Sequence, residues 1–324
     1  MPKAFRIYEH GGPEVLKWED VAIGDPGPGQ ARVRNHAAGL NFLDVYQRAG
    51  LYKMQLPTLL GMEGAGVVEA VGPGVTEVKA GDRVAYCSPP PGAFAEVRLA
   101  PADRLVKIPD AISFETAAAM MLKGMTAQYL IKRTFKVEPG MTVLVHAAAG
   151  GVGLILCQWL KAIGATVIGT VGTDTKAALA KAHGCDHPIV YTRENFVDRV
   201  KEITGGKGVP VVFDAVGKDV WAGSLDCLSM FGMYVNFGNA SGPVPAIEPL
   251  TLMAKGSLFM TRPTLNHYTA KREDLVATAN DLFNIVLSGK VKIEIDQRYP
   301  LKDVPQAQRD LEARKTTGST VFIV

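Results

Sequence analysis

The sequence predicts an α/β chain of two domains, a doubly wound parallel sheet inserted in a small β-barrel domain. Three observations predict it. Thr142 to Val145 is a β-branched apolar run that leads through a turn of small residues into the long apolar stretch Leu154 to Ile163. Ala165 to Val171 repeats the buried-strand pattern, so that strand, glycine turn, helix and strand follow in order. Residues 1 to 122, by contrast, are short β-type runs cut by glycine and proline.

The chain has 324 residues, too many for one core of ordinary size and comfortable for two. With 47% hydrophobic and 21% charged residues it has the balance of a soluble globular protein, and a formal charge of +3 is too small to point to nucleic acid. No apolar run has the length of a membrane span. Met1 to Glu9 carries neither an apolar signal core nor an arginine-rich presequence, so a cytoplasmic location is expected. Cys87, Cys157, Cys185 and Cys227 stand singly, which argues against a disulfide framework and a zinc knuckle.

In the first part, Ala4 to Tyr8, Leu16 to Val21, Ala31 to Ala38, Gly64 to Val71, Arg83 to Tyr86 and Ala93 to Leu99 read as strands of a compact, irregular barrel. Asp25 to Gln30, Gly72 to Gly74 and Gly81-Asp82 read as turns. Between the strands, Asn41, Asp44 and Tyr46 cluster at the start of a short helix, and Tyr52 follows a glycine turn. The spacing fits an ordinary cap, with Asn41 at N-cap and Asp44 at N3; an amide and phenols are also groups that hydrogen-bond a carbonyl or deliver a proton.

In the middle part, Ala148, Gly150 and Gly153 occupy the three glycine positions of a dinucleotide fingerprint, with alanine at the first. Gly150 admits backbone N–H groups to a pyrophosphate at the helix N-terminus, and Gly153 lets helix and strand pack closely. The second strand ends in Thr170, Val171, Gly172 and Thr173, with no carboxylate before Asp174 and with Lys176 just beyond. Small polar groups and a lysine accept the extra phosphate of NADP, which a carboxylate would repel, so NADPH is the expected cofactor. Lys176 to His183 then reads as a helix, and Val211 to Ala215 and Met233 to Phe237 as further buried strands. From Pro263 the character changes, to a helix over Arg272 to Leu287, a helix end at Leu311 to Arg314 and an apolar run at Val321 to Val324.

Gly39 to Tyr52, Leu60 to Val68, Gly81 to Val84, His146 to Gly153 and Phe237 to Gly242, taken together and in this order, resemble the medium-chain dehydrogenase/reductase superfamily. Within it the chain is similar to the zinc-independent quinone oxidoreductase (zeta-crystallin-like) branch, through to Arg314 to Gly318. The resemblance implies a GroES-like β-barrel domain, residues 1–122 plus 264–324, interrupted by a Rossmann NADPH-binding domain, residues 123–263. It also implies an NADPH:quinone oxidoreductase, with an enoyl-thioester or alkenal double-bond reductase as the alternative; some relatives of this branch bind RNA or serve as structural proteins.

Zinc enzymes share the superfamily. Their first cysteine ligand falls on Asn41, their histidine on Met62 and their second cysteine on Leu122, none of which supplies a thiolate or imidazole. The lobe of four close cysteines is missing too, because Cys87 passes through Ser88, three prolines and Gly92 directly to the next strand. No metal is expected. Without a Lewis acid the favoured acceptor is already electrophilic, a quinone or enone over which hydride addition spreads its charge.

By resemblance, Asn41 hydrogen-bonds substrate or nicotinamide ribose, and Tyr46 and Tyr52 line the pocket, Tyr52 at the proton-donor position of the enoyl-thioester reductases. Thr126 meets the nicotinamide, and Ala149, Gly150, Gly151 and Val152 the pyrophosphate. Gly172, Thr173, Lys176, Tyr191 and Arg314 surround the adenosine 2′-phosphate. Phe237 and Asn239 follow a strand end, where open sheets place ligands, and Arg262 lies near the cofactor or the inter-domain cleft. The six histidines, His146, His183 and His187 among them, are expected to be packing or surface residues. Relatives pair through an edge strand; Gly256 to Met260 has that character, and a homodimer is expected, with neither membrane nor nucleic acid as a partner.

Overall fold

The computed structural model describes residues 1–324, which form two compact units. The first comprises Met1–Met125, Thr269–Leu287 and Ile293–Val324, and the second Thr126–Tyr268 with Ser288–Lys292. These divisions fall a few residues past the expected 122/123 and 263/264. The helix α2, defined below, runs across the first of them, so no break in composition marks it. Ser288–Lys292 stays with the second unit because the Gln158 side chain grips Lys292 twice: its Oε1 accepts from the backbone N–H at 2.8 Å and its Nε2 donates to the carbonyl at 3.0 Å.

The first unit opens with β1 (Lys3–Ile7), β2 (Lys17–Asp20), β3 (Gln30–Leu40), α1 (Phe42–Ala49), β4 (Thr58–Leu59), β5 (Glu63–Val71), β6 (Arg83–Tyr86), β7 (Val97–Pro101), β8 (Val106–Lys107) and the start of α2 (Phe114–Tyr129). β3 is the spine, pairing antiparallel with β5 and β7. The expected strand over 93–99 is displaced to Val97–Pro101. Ahead of it the backbone crosses between sheets, Phe94 donating to the Leu60 carbonyl at 3.0 Å and accepting from Phe5 N–H at 2.8 Å, so no continuous ladder forms. Phe5, Ile7, Val33, Leu60, Phe94 and Phe322 belong to the fully dehydrated core of this unit, with Phe94 edge-on to Phe322 at 5.1 Å.

The second unit is a parallel sheet in the order β11-β10-β9-β12-β13-β14. Its strands and helices alternate: β9 (Thr142–Val145), α3 (Gly151–Ile163), β10 (Thr166–Val171), α4 (Asp174–Ala182), β11 (His187–Val190), α5 (Phe196–Ile203), β12 (Val209–Asp214), α6 (Trp221–Asp226), β13 (Leu228–Asn236), α7 (Pro249–Ala254), β14 (Phe259–Thr261) and α8 (Leu265–Tyr268). The central strands are apolar on both faces, as a sheet covered on each side requires: Val143 to Val145 and Val211 to Phe213 are all 0% exposed. Strand order reverses at β9, flanked by β10 and β12, and the crevice beyond the carboxyl ends at such a reversal is where open α/β sheets bind ligands.

The chain then returns to the first unit through α9 (Arg272–Leu287), β15 (Ile295–Pro300), α10 (Val304–Glu312) and β16 (Ser319–Ile323). β16 lies antiparallel to β3, and Ser319 Oγ donates to the Ala119 carbonyl at 3.0 Å. Arg48, 2% exposed at the end of α1, donates to Gln308 at 2.6 Å and to both oxygens of Glu312, fastening α10. The helix ends two residues before Arg314, which takes a positive φ of 58°. No helix of the chain is long and apolar enough to cross a membrane.

Candidate active site

The turn after β9 is built by close backbone approach. Ala147 takes the left-handed conformation (φ 54°), a role usually left to glycine, and its carbonyl accepts from Gly150 N–H at 2.9 Å. A Cβ on Gly153 would lie 2.2 Å from the Ala147 carbonyl oxygen, so only glycine lets α3 sit so near the strand. At Gly150 the nearest atom would be 3.2 Å away. Gly150 is the N-cap of α3 and no side chain caps the helix, which leaves first-turn N–H groups available to an anion. Ala149 is buried, and Gly151 and Val152 are half-buried at that turn.

At the end of β10 a second cluster forms. Thr173 caps α4, its hydroxyl accepting from Lys176 N–H at 3.2 Å. Gly172 packs under Tyr191, whose hydroxyl would lie 3.0 Å from a Cβ at Gly172. Asp174, the first carboxylate beyond the strand, is clamped bidentately by Arg193 at 2.6 and 2.7 Å, and this partner holds its carboxyl below the usual range. Arg193 escaped the sequence reading because a lone arginine 19 residues past Asp174 has no spacing rule to announce it.

Behind these turns, Asp214 ends β12 and accepts from the N–H groups of Val216 and Gly217, from Tyr234 Oη and from Asn236 Nδ2. That set shapes the loop of Phe237, whose N–H donates to the Asp214 carbonyl at 2.8 Å, and of Asn239, whose carbonyl accepts from Gly242 N–H at 2.9 Å. Thr126 is buried in the second unit, and Arg262, exposed beyond β14, donates to the Pro263 carbonyl at 3.0 Å. His146 is a packing residue: Ser224 Oγ donates to Val220 and therefore accepts from His146 Nε2, while Nδ1 accepts from Thr170 Oγ1. Burial pushes this histidine's pKa down, in keeping with a neutral ring.

In the first unit Asn41 is the N-cap of α1, and the Asp44 carboxylate at N3 accepts its backbone N–H at 2.8 Å and that of Met62 at 3.1 Å. Gly50 closes the helix in the left-handed conformation, φ 83°, and turns the chain so that Tyr52 N–H donates to the Tyr46 carbonyl and the two rings meet edge-on at 5.4 Å. Beside Asn41 lies Glu63, 0% exposed. One of its oxygens accepts from Leu122 N–H at 2.8 Å; the other accepts from Lys123 Nζ at 3.0 Å and Asn41 Nδ2 at 2.8 Å. Gly39, paired with Glu63 across the sheet, must lack a Cβ, which would fall 2.5 Å from the carboxylate and 2.1 Å from the Ala118 carbonyl. Neither Glu63 nor Lys123 was legible as a pair, being 60 residues apart.

This donor set does not fit zinc. Asn41, Met62 and Leu122 stand where thiolates and an imidazole are required, Glu63 has both oxygens engaged by protein donors, and no group of three or more His, Cys, Asp or Glu side chains is arranged around a common point.

A parallel sheet that switches order over a glycine turn, joined in one chain to a unit of three- and seven-stranded sheets, is the arrangement expected of a medium-chain dehydrogenase/reductase. Residues 27–110 match the family of alcohol dehydrogenase GroES-like domains and residues 151–280 that of zinc-binding dehydrogenases. The chain is 52% identical to the quinone oxidoreductase of Pseudomonas aeruginosa, over 100% of both chains, and 46% identical to the 2-haloacrylate reductase of a Burkholderia species, over 100% of this chain and 99% of that one. The crystal structure of Escherichia coli quinone oxidoreductase complexed with NADPH superposes with a TM-score of 0.98 at 48% identity, covering 99% of this chain and 100% of the other. The chain belongs to the quinone oxidoreductase family.

Two outcomes follow from this geometry. Gly153→Ala forces the helix off the strand and should lower the urea unfolding midpoint by the equivalent of about 2–3 kcal/mol, whereas Gly150→Ala should stay within about 1 kcal/mol of the parent. Asp44 is raised from 3.8 to about 7, chiefly by burial and also by the Glu63 charge, against the pull of two backbone N–H groups and Lys123. The folded chain thus holds this proton more tightly than the unfolded chain. The carboxyl's contribution to stability should fall as pH rises from 3.8 to about 7 and stay level above, with a slope of up to about 1.4 kcal/mol per pH unit. Urea titrations of wild type and Asp44→Asn across that window measure it; a constant difference would contradict the assignment.

Proposed function

We propose that the chain transfers hydride from NADPH to a quinone without a metal. The observation that carries this reading is Glu63, the one ligand-type side chain at the zinc positions, whose two oxygens are taken by Leu122, Lys123 and Asn41. A site of that kind cannot stabilise a localised alkoxide through a metal, and it favours an acceptor that delocalises the incoming charge. The family relationship supports the cofactor and the acceptor alike, since the relatives include quinone oxidoreductases and one of them is complexed with NADPH.

When bound, NADPH supplies hydride from C4 of its nicotinamide. Ala149, Gly150, Gly151 and Val152 are assigned to the pyrophosphate, where the uncapped α3 offers N–H groups. Gly172, Thr173, Lys176 and Tyr191 are assigned to the adenosine 2′-phosphate, beside an Asp174 whose charge Arg193 already balances. Arg314 is assigned to the same phosphate by resemblance alone, Thr126 to the nicotinamide side, Phe237 and Asn239 to the cofactor at a strand end, and Arg262 to the neighbourhood of the cofactor. Asn41 hydrogen-bonds the acceptor or the ribose. Tyr46 and Tyr52, packed on each other, line the acceptor pocket and exclude water, and Tyr52 stands at the position that donates the proton in the enoyl-thioester reductases.

A second reading, reduction of an activated carbon–carbon double bond, is favoured by the likeness to 2-haloacrylate reductase. NADPH consumption with p-benzoquinone, phenanthrenequinone, crotonyl-CoA and 2-chloroacrylate separates the two. Quinone turnover should exceed that of both alkenes by at least about tenfold in kcat/KM, and the reverse order would replace the first reading with the second.

The same reading includes a homodimer. β14 is an edge of the parallel sheet, with Phe259 57% and Met260 37% exposed, and Met230, Phe231, Leu250 and Met253 add exposed apolar surface near it. Sedimentation should give twice the chain mass, and Phe259→Arg should give the monomer; a wild-type monomer at micromolar concentration would refute this. A cytoplasmic location belongs to the reading too, and the four buried free thiols suit a reducing compartment.

A further inference from the structure

Beside Asn41 lies a group of buried charges that the proposed hydride transfer leaves unexplained. Glu63 and Asp44 are 0% exposed and Lys123 is 5% exposed. Burial of an ion pair rarely stabilises a fold more than apolar side chains of the same size, and the flanking residues here, Met62 and Leu122, are apolar already. The bonding pattern gives the pair another task.

An ionised carboxylate only accepts hydrogen bonds and an ammonium only donates them. Glu63, neutralised by Lys123 and held at its other oxygen by Leu122 N–H, therefore offers Asn41 an acceptor and nothing else. A carboxamide in a neutral setting can present either its oxygen or its amino group, the two ends being nearly the same size. Facing Glu63, Asn41 must turn its Nδ2 inward, which sets Oδ1 toward the Asp44 backbone N–H of the capping box and leaves the second N–H for a ligand. Asp44 fixes the backbone of the same residue by accepting its N–H. The Cys87 thiol, near enough to feel the Glu63 charge, is pushed well up by burial and by that charge, and stays a neutral neighbour.

We propose that Glu63 and Lys123 are positioning residues of the reductase: the ion pair locks the Asn41 carboxamide in one of its two orientations, and this orientation is the one that engages the hydride acceptor or nicotinamide ribose. The proposal rests on the assignment of Asn41 to ligand contact above. Each arm of its test is therefore run with whichever acceptor of the panel the wild type reduces fastest, so that a wrong acceptor class and a wrong role for Glu63 give different results.

The test is a cycle between Asn41→Ala and the charge-neutral pair Glu63→Gln with Lys123→Met. The introduced glutamine keeps the size of the carboxylate, but its carbonyl oxygen is needed by Leu122 N–H, so its amino group faces the Asn41 amino group and the native orientation is lost while the volume is kept. The pair variant should retain its thermal midpoint and lose about 30-fold in kcat/KM for the acceptor, with NADPH affinity by nicotinamide fluorescence unchanged if the amide meets the acceptor and weakened if it meets the ribose. Asn41→Ala should lose about 100-fold, and the combined variant no more than Asn41→Ala alone, because the pair acts only through that amide. Losses that multiply, or a pair variant with wild-type kcat/KM, overturn the proposal.

Should the pair variant fail to fold, Asn41→Asp gives an independent reading with the ion pair intact. Its carboxyl can donate to Glu63 only when protonated, so kcat/KM should rise as pH falls, relative to the protein with Asn41 over the same range. Charges facing this position are Glu63, Lys123 and Asp44, and because Asp44 is raised to about 7 and couples to a new carboxyl, the comparison is made in an Asp44→Asn background, Asn41→Asp against Asn41. A ratio independent of pH overturns the proposal.

Discussion

The carboxylate of Glu63 joins three segments far apart in the chain: the start of α1 through Asn41, the start of β5 on which it sits, and the body of α2 through Leu122 and Lys123. A buried charge is tolerated only when its acceptor capacity is used, and here the donors are an amide, a backbone N–H and an ammonium. The surrounding backbone is shaped to permit it. Gly39 leaves room for the carboxylate where any side chain would collide with both it and α2. Where zinc dehydrogenases require soft ligands, this chain places a ring of hydrogen bonds among nitrogen and oxygen atoms.

The second unit is governed by a different constraint, how near two backbones can come. Ala147 tolerates a left-handed conformation, and Gly153 removes a side chain that would collide with the turn backbone at Ala147 and Ala148. Asp214 has a comparable role on the other side of the strand reversal, gathering two N–H groups, a phenol and an amide at the ends of β12 and β13. The first turn leaves backbone N–H groups at the carboxyl edge of the sheet, the second spends its own on Asp214, and the rigidity of that edge comes from these buried bonds.

Much of this is written in local pattern. The strand-turn-helix-strand run from Thr142 to Val171 was legible because a parallel sheet demands continuous apolar strands and its helix demands a glycine turn, both short-range requirements. The cap of α1 at Asn41 and Asp44 was legible for the same reason. What stayed hidden depends on distance along the chain. The Glu63–Lys123 pair spans 60 residues, and the Arg193 clamp on Asp174 spans 19 between two exposed side chains. β15, with exposed and half-buried residues alternating, carries too little apolar signal to stand out, and the unit boundary within α2 has no compositional mark. The family resemblance assigned ligand contacts to particular residues but said nothing of what braces them.

The placement of β16 carries a consequence for how the polypeptide acquires its shape. That strand, near the far end of the chain, completes the sheet whose spine is β3, near its beginning. The parallel-sheet unit is nearly continuous in sequence and can close while synthesis is still under way, whereas its companion waits for β16 to leave the ribosome. Until then the flank of β3 that receives β16 lacks its neighbour, and this nascent interval is when the chain most needs protection from sticking to its own kind.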